Sequence, residues 1–235
     1  MLDTSWSLPL GSLFGVKVRI HFTFFFLLAW YGWDEWQYTG WEGARFRILF
    51  IILLFTCILA HEFGHILTAR YFGIRSPSVT LWPFGGVALL ERTPEKPKEE
   101  FLITLAGPMV NVAIFGILYA TFYTGNIPRI QYIYINYGKY IYELIENIML
   151  VNLYVAIFNF IPAFPMDGGR ILRSVLSFFF GFITATKIAT YLGQAIACLF
   201  VFWGIYDETY MLSIIGIFIF SAARTELQYI RQREW

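Results

Sequence analysis

His61, Glu62 and His65, in the run HEFGH, are the residues of this chain whose types and spacing point most directly to chemistry. Two residues four apart on an α-helix lie about 40° apart around the axis and about 6 Å along it, so both imidazoles can reach one metal ion. Glu62 then falls on the adjoining flank, close enough to touch a water at that ion without being a ligand. The pattern H-E-x-x-H carries this reading: zinc held by two neutral imidazoles, with the carboxylate as general base. A pentapeptide of this kind also arises by chance, with buried hydrogen-bonding histidines and a glutamate that partners a neighbouring helix. The surroundings weigh against that alternative. The motif sits near the far end of Ile48–Arg70, ILFIILLFTCILAHEFGHILTAR, a run apolar enough to enter a bilayer. An ionisable side chain at the centre of a membrane helix costs about 2.5–3.5 kcal/mol on insertion scales, so three of them without a metal would oppose insertion.

Two other residues compete for a place at such a metal. Cys57 lies four residues before His61 on the same helix face, and a thiolate there is a conceivable ligand, although small packing cysteines are common in apolar helices. His21, the third and last histidine, stands where an apolar segment begins and reads as a satisfied interfacial side chain rather than a ligand.

The elements that must position these groups follow from composition. Of 235 residues 58% are hydrophobic and only 14% charged, with mean hydropathy +0.60. Soluble domains carry about 25% charged residues, so this is an integral membrane protein. A net charge of +1 and the lack of any Lys/Arg run leave no basis for a nucleic-acid partner. Both cysteines fall in apolar segments, so no disulfide framework is expected, and the N-terminal residues lack the pattern of a cleaved signal peptide.

The expected fold class is an all-α integral membrane protein. It has six transmembrane helices, with short membrane-associated β-strands near the N-terminus and between helices 2 and 3. The spans are placed at about 22–36, 48–70, 101–123, 147–161, 189–206 and 210–223, with residues 124–146 as an external loop and 174–183 as an interfacial helix. Alternation over Val16–Ile20 predicts a strand before the first span. Residues 74–97, with SVTLWPFGGVALLER, read either as a strand pair with an edge open to an extended peptide or as a plain connecting loop. Pro162 and Pro165 stop the fourth span. They put Asp167, in MDGGR, on irregular backbone, which at membrane depth is tolerated only where it is buried in protein or lines a cavity.

Charge fixes the expected orientation. With the N-terminus in the cytoplasm, 13 of the 17 Lys and Arg residues fall inside, which the positive-inside rule favours. Both termini and the active site then face the cytoplasm of a multi-pass protein of the cell membrane. Asp167 shares that side with the histidines, whereas Glu143 and Glu146 fall on the other. A catalytic zinc usually takes three protein ligands and keeps a fourth position for water, so His61, His65 and Asp167 are the expected set.

At this point the chain resembles the site-2 protease family of intramembrane zinc metalloproteases, and in particular its short archaeal and bacterial members. The likeness rests on IHFTF, HEFGH, FGGV, AGPMVN and NFIPAFPMDGGRILR, in order, from about Val18 to Ile183. It implies one Zn2+ per chain on His61, His65 and Asp167, with Glu62 as the catalytic base. It also implies that Asn111 and Asn159 position the substrate strand or stabilise the oxyanion. The implied activity is regulated intramembrane proteolysis, hydrolysing peptide bonds within or at the edge of transmembrane segments. The implied partners are a membrane-anchored protein substrate with a transmembrane helix and the lipid bilayer, and no nucleic acid. Met166 departs from the leucine common before the Asp-Gly pair, a volume-conserving change of little consequence. No loop accommodates a PDZ insertion and about a dozen residues follow the sixth span. Residues 1–235 are therefore expected to form a single transmembrane metalloprotease domain without PDZ or nucleotide-binding regulatory domains. Zinc transport would use the same ligands, but one concentrated site without acidic residues relayed through other spans weighs against it. An intact Glu62 weighs against a catalytically silent binder.

Overall fold

The computed structural model describes residues 6–94, 96–124, 131, 133 and 138–231. These residues make four strands and six helices. The strands are β1 (Ser7–Leu13), β2 (Val16–His21), β3 (Ser78–Trp82) and β4 (Gly85–Leu89). The helices are α1 (Thr23–Tyr71), α2 (Pro97–Tyr123), α3 (Lys139–Phe160), α4 (Asp167–Phe180), α5 (Phe182–Tyr206) and α6 (Tyr210–Arg231). The chain divides into two compact units, residues 1–92 with 109–156, and residues 93–108 with 157–235.

In the first unit the strands form one sheet in the order β1-β2-β3-β4, with β2 and β3 parallel and the outer pairs antiparallel. Alternation does what the sequence predicts: Val16, Val18 and Ile20 are buried while Lys17 is exposed. The register Val18↔Val79 and Ile20↔Leu81 places the apolar partners of β3 on the same face. That face packs on α1, where Val16, Val18 and Val79 meet Phe63 and Ile66. A slip of one residue would turn Val79 and Leu81 away from the helix, so the burial itself pins the sheet to the motif helix. The 74–97 segment is thus a strand pair, closed by Pro83 and Phe84. Among the described residues β4 pairs on one side only, which leaves it at the sheet edge.

Helix α1 is 49 residues long, and a straight helix of that length would reach about 74 Å, more than twice the roughly 30 Å hydrocarbon layer. It is not straight. Gly40 takes φ 71 and ψ −163, far from helical values, and divides it into two arms. The arms fold back on each other: Phe24 and Phe55 meet edge to face with ring centroids 4.6 Å apart, and Arg47 donates through Nε and Nη2 to Glu35 Oε2 at 3.0 and 2.8 Å. The first two expected spans, at about 22–36 and 48–70, fall on these two arms. Five helices among the described residues, α1, α2, α3, α5 and most of α6, are long and apolar enough to cross a membrane, and the chain is a membrane protein.

One expectation needs correction. The external loop placed at 124–146 ends at Lys139, where α3 begins eight residues before its apolar stretch. The added turns carry a Lys139–Glu143 ion pair of 3.4 Å at i,i+4 spacing, and Tyr123 and Tyr142 both donate to Glu146. Residues 125–130, 132 and 134–137 of that expected loop lie outside the described residues.

In the second unit α5 and α6 approach closely because small residues face one another. A Cβ on Gly216 would stand 2.7 Å from the Ala197 carbonyl oxygen, and one on Gly204 would stand 2.4 Å from Ser213 Oγ. Helix α4 is amphipathic and buries Arg173, which donates to both Glu100 and Glu226 while the rings of Phe164 and Phe182 lie 5.1 and 4.8 Å from its guanidinium carbon. A helix is present where residues 174–183 were expected to form one, but it starts earlier, at Asp167, and ends before Gly181, with Phe178, Phe179 and Phe180 exposed.

Candidate metal centre

The motif lies in the second arm of α1 as a regular helix, which sets His61 and His65 one above the other. Their Nε2 atoms face each other 3.1 Å apart, with His61 buried and His65 half-buried. Two nitrogens bound to one tetrahedral zinc, each at about 2.0–2.1 Å, are about 3.4 Å apart. The imidazole pair therefore fits that ion.

Behind His61 the polar contacts continue through two further helices. His61 Nδ1 is 2.6 Å from Asn111 Oδ1, and Asn111 Nδ2 donates to Asn152 Oδ1 at 2.8 Å. Asn152 Nδ2 in turn donates to the Ile148 carbonyl at 2.8 Å and to Cys57 Sγ at 3.3 Å. Both asparagines are buried completely, at 1% and 0% exposure. Metal-binding histidines almost always give their second ring N–H to an oxygen acceptor, which fixes the ring. Asn111 occupies that place for His61. Cys57 has its sulfur in contact with Asn152, and His21 pairs its Nδ1 with Thr23 Oγ1 at 2.7 Å while stacking on Trp82. Asn152 carried no functional reading from the sequence; its only signal was a polar residue in an apolar helix, which Asn147 and Asn159 share.

Glu62 is half-buried beside the sheet edge. A Cβ built on Gly86 would fall 2.4 Å from Glu62 Cγ and 3.0 Å from Oε1, so only the lack of a side chain there lets β4 lie against the carboxylate.

In the second unit Asp167 opens α4 and is buried, with Met166 before it in extended conformation. An acidic residue in a first helical turn is favoured by the helix dipole. Its position is fixed by two glycines: a Cβ on Gly168 would lie 2.2 Å from the Ile161 carbonyl oxygen, and one on Gly169 would lie 2.7 Å from the Phe164 nitrogen. Asn159, half-buried, belongs to the same unit near the end of α3. The first unit thus brings together His61, Glu62, His65 and Asn111, while Asp167 and Asn159 are held by the second.

Comparison with known proteins agrees with these motifs. The description of peptidase family M50 matches residues 49–202. The protein named zinc metalloprotease MJ0392, of Methanocaldococcus jannaschii, is 31% identical over 229 residues, which cover 96% of this chain and 62% of that one. The putative zinc metalloprotease Rip3 of Mycobacterium tuberculosis is 30% identical over 239 residues, covering 94% and 58%. The chain therefore spans about three fifths of the length of these curated relatives. Among solved structures, the site-2 protease from Methanocaldococcus jannaschii superposes with a TM-score of 0.64 at 31% identity, covering 94% of this chain and 95% of that one.

Proposed function

The chain belongs to peptidase family M50, and from that premise we propose that it is an intramembrane zinc metalloprotease of the site-2 type. It would hydrolyse peptide bonds within or at the edge of transmembrane segments of membrane-anchored proteins, as a step of regulated intramembrane proteolysis. The observation that carries this reading is the pair of facing imidazoles with Glu62 on the next residue, laid against an edge strand.

His61, His65 and Asp167 would hold one zinc ion, each offering a single ligand atom. Zinc, when bound, supplies Lewis acidity and makes water a competent nucleophile near neutral pH. The chain's own groups do the rest. Glu62 would take a proton from the attacking water on Oε1 or Oε2 and return it to the departing amine. A substrate helix hides its carbonyls in its own hydrogen bonds, so it must unwind, and the free edge of β4 would hold the extended segment by backbone pairing beside Glu62. Asn159 would orient that strand or donate to the developing oxyanion. Asn111, whose amide is engaged by His61 and Asn152, would act on the substrate only through His61.

The proposed topology is six spans, counting the arms of α1 separately, with both termini and the site on the cytoplasmic side. Residues 1–235 would work as one catalytic domain. The test is zinc stoichiometry with cleavage of a single-span model substrate in detergent. About one zinc per chain and a cut within the span support the proposal; zinc without cleavage, together with zinc uptake into proteoliposomes, would replace it with transport.

A further inference from the structure

We infer that Asn152, through Asn111, sets which ring nitrogen of His61 carries the proton, and that it is a positioning residue of the metal centre. The inference rests on the reading of His61 as a metal ligand.

A neutral imidazole has one N–H and one lone pair, so it binds a metal through Nε2 only when the proton sits on Nδ1. An asparagine side chain does not by itself decide this, because its amide can turn over and present either an acceptor or a donor. The decision here is made two residues away. The Ile148 carbonyl can only accept, so the Asn152 atom 2.8 Å from it is the nitrogen. With Nδ2 committed to Ile148 and to Cys57 Sγ, Asn152 turns its oxygen to Asn111. Asn111 must answer with its own nitrogen, which leaves Oδ1 facing His61 Nδ1 at 2.6 Å. An oxygen acceptor at that distance requires Nδ1–H, and Nε2 keeps its lone pair on the side of His65.

Turning either amide would set two acceptors, or two donors, against each other among groups with no access to water, where mispaired polar atoms cost most. Asn111 and Asn152 are both fully buried. A backbone carbonyl of α3 thus fixes the state of a ligand on α1 by way of a side chain on α2. Asn152 bonds Asn111, Cys57 and the Ile148 carbonyl and reaches His61 only by way of Asn111, which is why it acts by position alone.

The experiment uses the full chain in detergent with 15N-labelled histidine, before and after zinc is added, and reads the His61 tautomer by NMR and the zinc affinity by chelator competition. Before zinc is added, wild type should show His61 protonated at Nδ1. Asn152→Leu should give a mixture of tautomers and weaken zinc binding by about 10–100-fold, the range for groups that orient a metal ligand. In the double variant Asn111→Asp with Asn152→Leu, a carboxylate accepts the Nδ1 proton unaided, so tautomer and affinity should both return toward wild type. A simple loss of packing at position 152 would not be repaired in this way. Asn147→Leu, a polar-to-apolar change elsewhere in α3, should alter neither readout. The inference is overturned if wild-type His61 carries its proton on Nε2, or if Asn152→Leu folds and leaves both readouts unchanged. Should Asn152→Leu not fold, the wild-type tautomer still decides it: a proton on Nε2 of His61 overturns the inference and a proton on Nδ1 supports it. The tautomer is read before metal or substrate is present, so a chain that shows it but cuts nothing refutes the protease reading and leaves this one standing.

Discussion

Gly86→Ala tests how closely the edge strand and the proposed base depend on each other. The added Cβ would lie 2.4 Å from Glu62 Cγ, 2.9 Å from Cδ and 3.0 Å from Oε1. Carbon atoms in ordinary contact stand about 3.5–4.0 Å apart, so the clash is relieved only if the two groups part by roughly 1.1–1.6 Å. The closest atom is Cγ, near the root of the side chain, and a rotation of its far end does not remove the contact. Either Glu62 changes rotamer or β4 moves off α1, and both misplace the base relative to a substrate held on that strand. A displacement of about 1 Å at a reacting group costs on the order of 10²-fold in rate. Overpacking of this kind should lower stability by about 1–3 kcal/mol. The imidazoles are untouched. Gly86→Ala should therefore keep its zinc, as measured by mass spectrometry, and cleave a single-span test substrate about 10²-fold more slowly. Cleavage at the wild-type rate by a zinc-loaded, folded variant would refute the idea that β4 and Glu62 share the site.

The third ligand is tested by Asp167→Ala against Glu143→Ala: the first should lose zinc and the second retain it, and equal retention in both would show that another carboxylate is used. Arg173→Leu should destabilise the folded chain by about 3–5 kcal/mol in a detergent unfolding assay, because it strands the buried Glu100 carboxylate, and adding Glu100→Gln should recover part of that loss. For orientation, single cysteines placed between Arg92 and Lys98 should react with impermeant thiol reagents only after the cytoplasmic face is opened; labelling from outside intact cells would invert the topology.

Much of the site was legible because its signals are local. The i,i+4 histidines, the Pro162 and Pro165 stop before Asp167, and the alternation over Val16–Ile20 each follow from helix, proline or strand geometry within a few residues. What escaped depends on distant partners. Strand β1 contains Pro9 and Gly11, residues that argue against a strand, and its pairing with β2 shifts register between them. The parallel pairing of β2 with β3 joins segments on either side of the whole of α1. That the backbone is helical on both sides of Gly40, over residues 37–39 and 41–47, was hidden by Glu42, Arg45 and Arg47, whose charges mark a span boundary. Asn152 is the clearest case: an asparagine in an apolar helix announces a hydrogen bond, and only the fold shows that its partner stands behind His61.

The most direct test of the protease reading is Glu62→Gln. The side chain keeps its shape and its place beside Gly86 but can no longer take a proton, while the proposed ligands His61, His65 and Asp167 are unaltered. Zinc content, cleavage of a membrane-anchored test substrate and zinc uptake into proteoliposomes are measured on wild type and variant together. The expected result is wild-type zinc content, a loss of cleavage of at least about 10²–10⁴-fold, and no zinc flux from either protein. Cleavage by Glu62→Gln at the wild-type rate, or a wild type that moves zinc and cuts nothing, would contradict it.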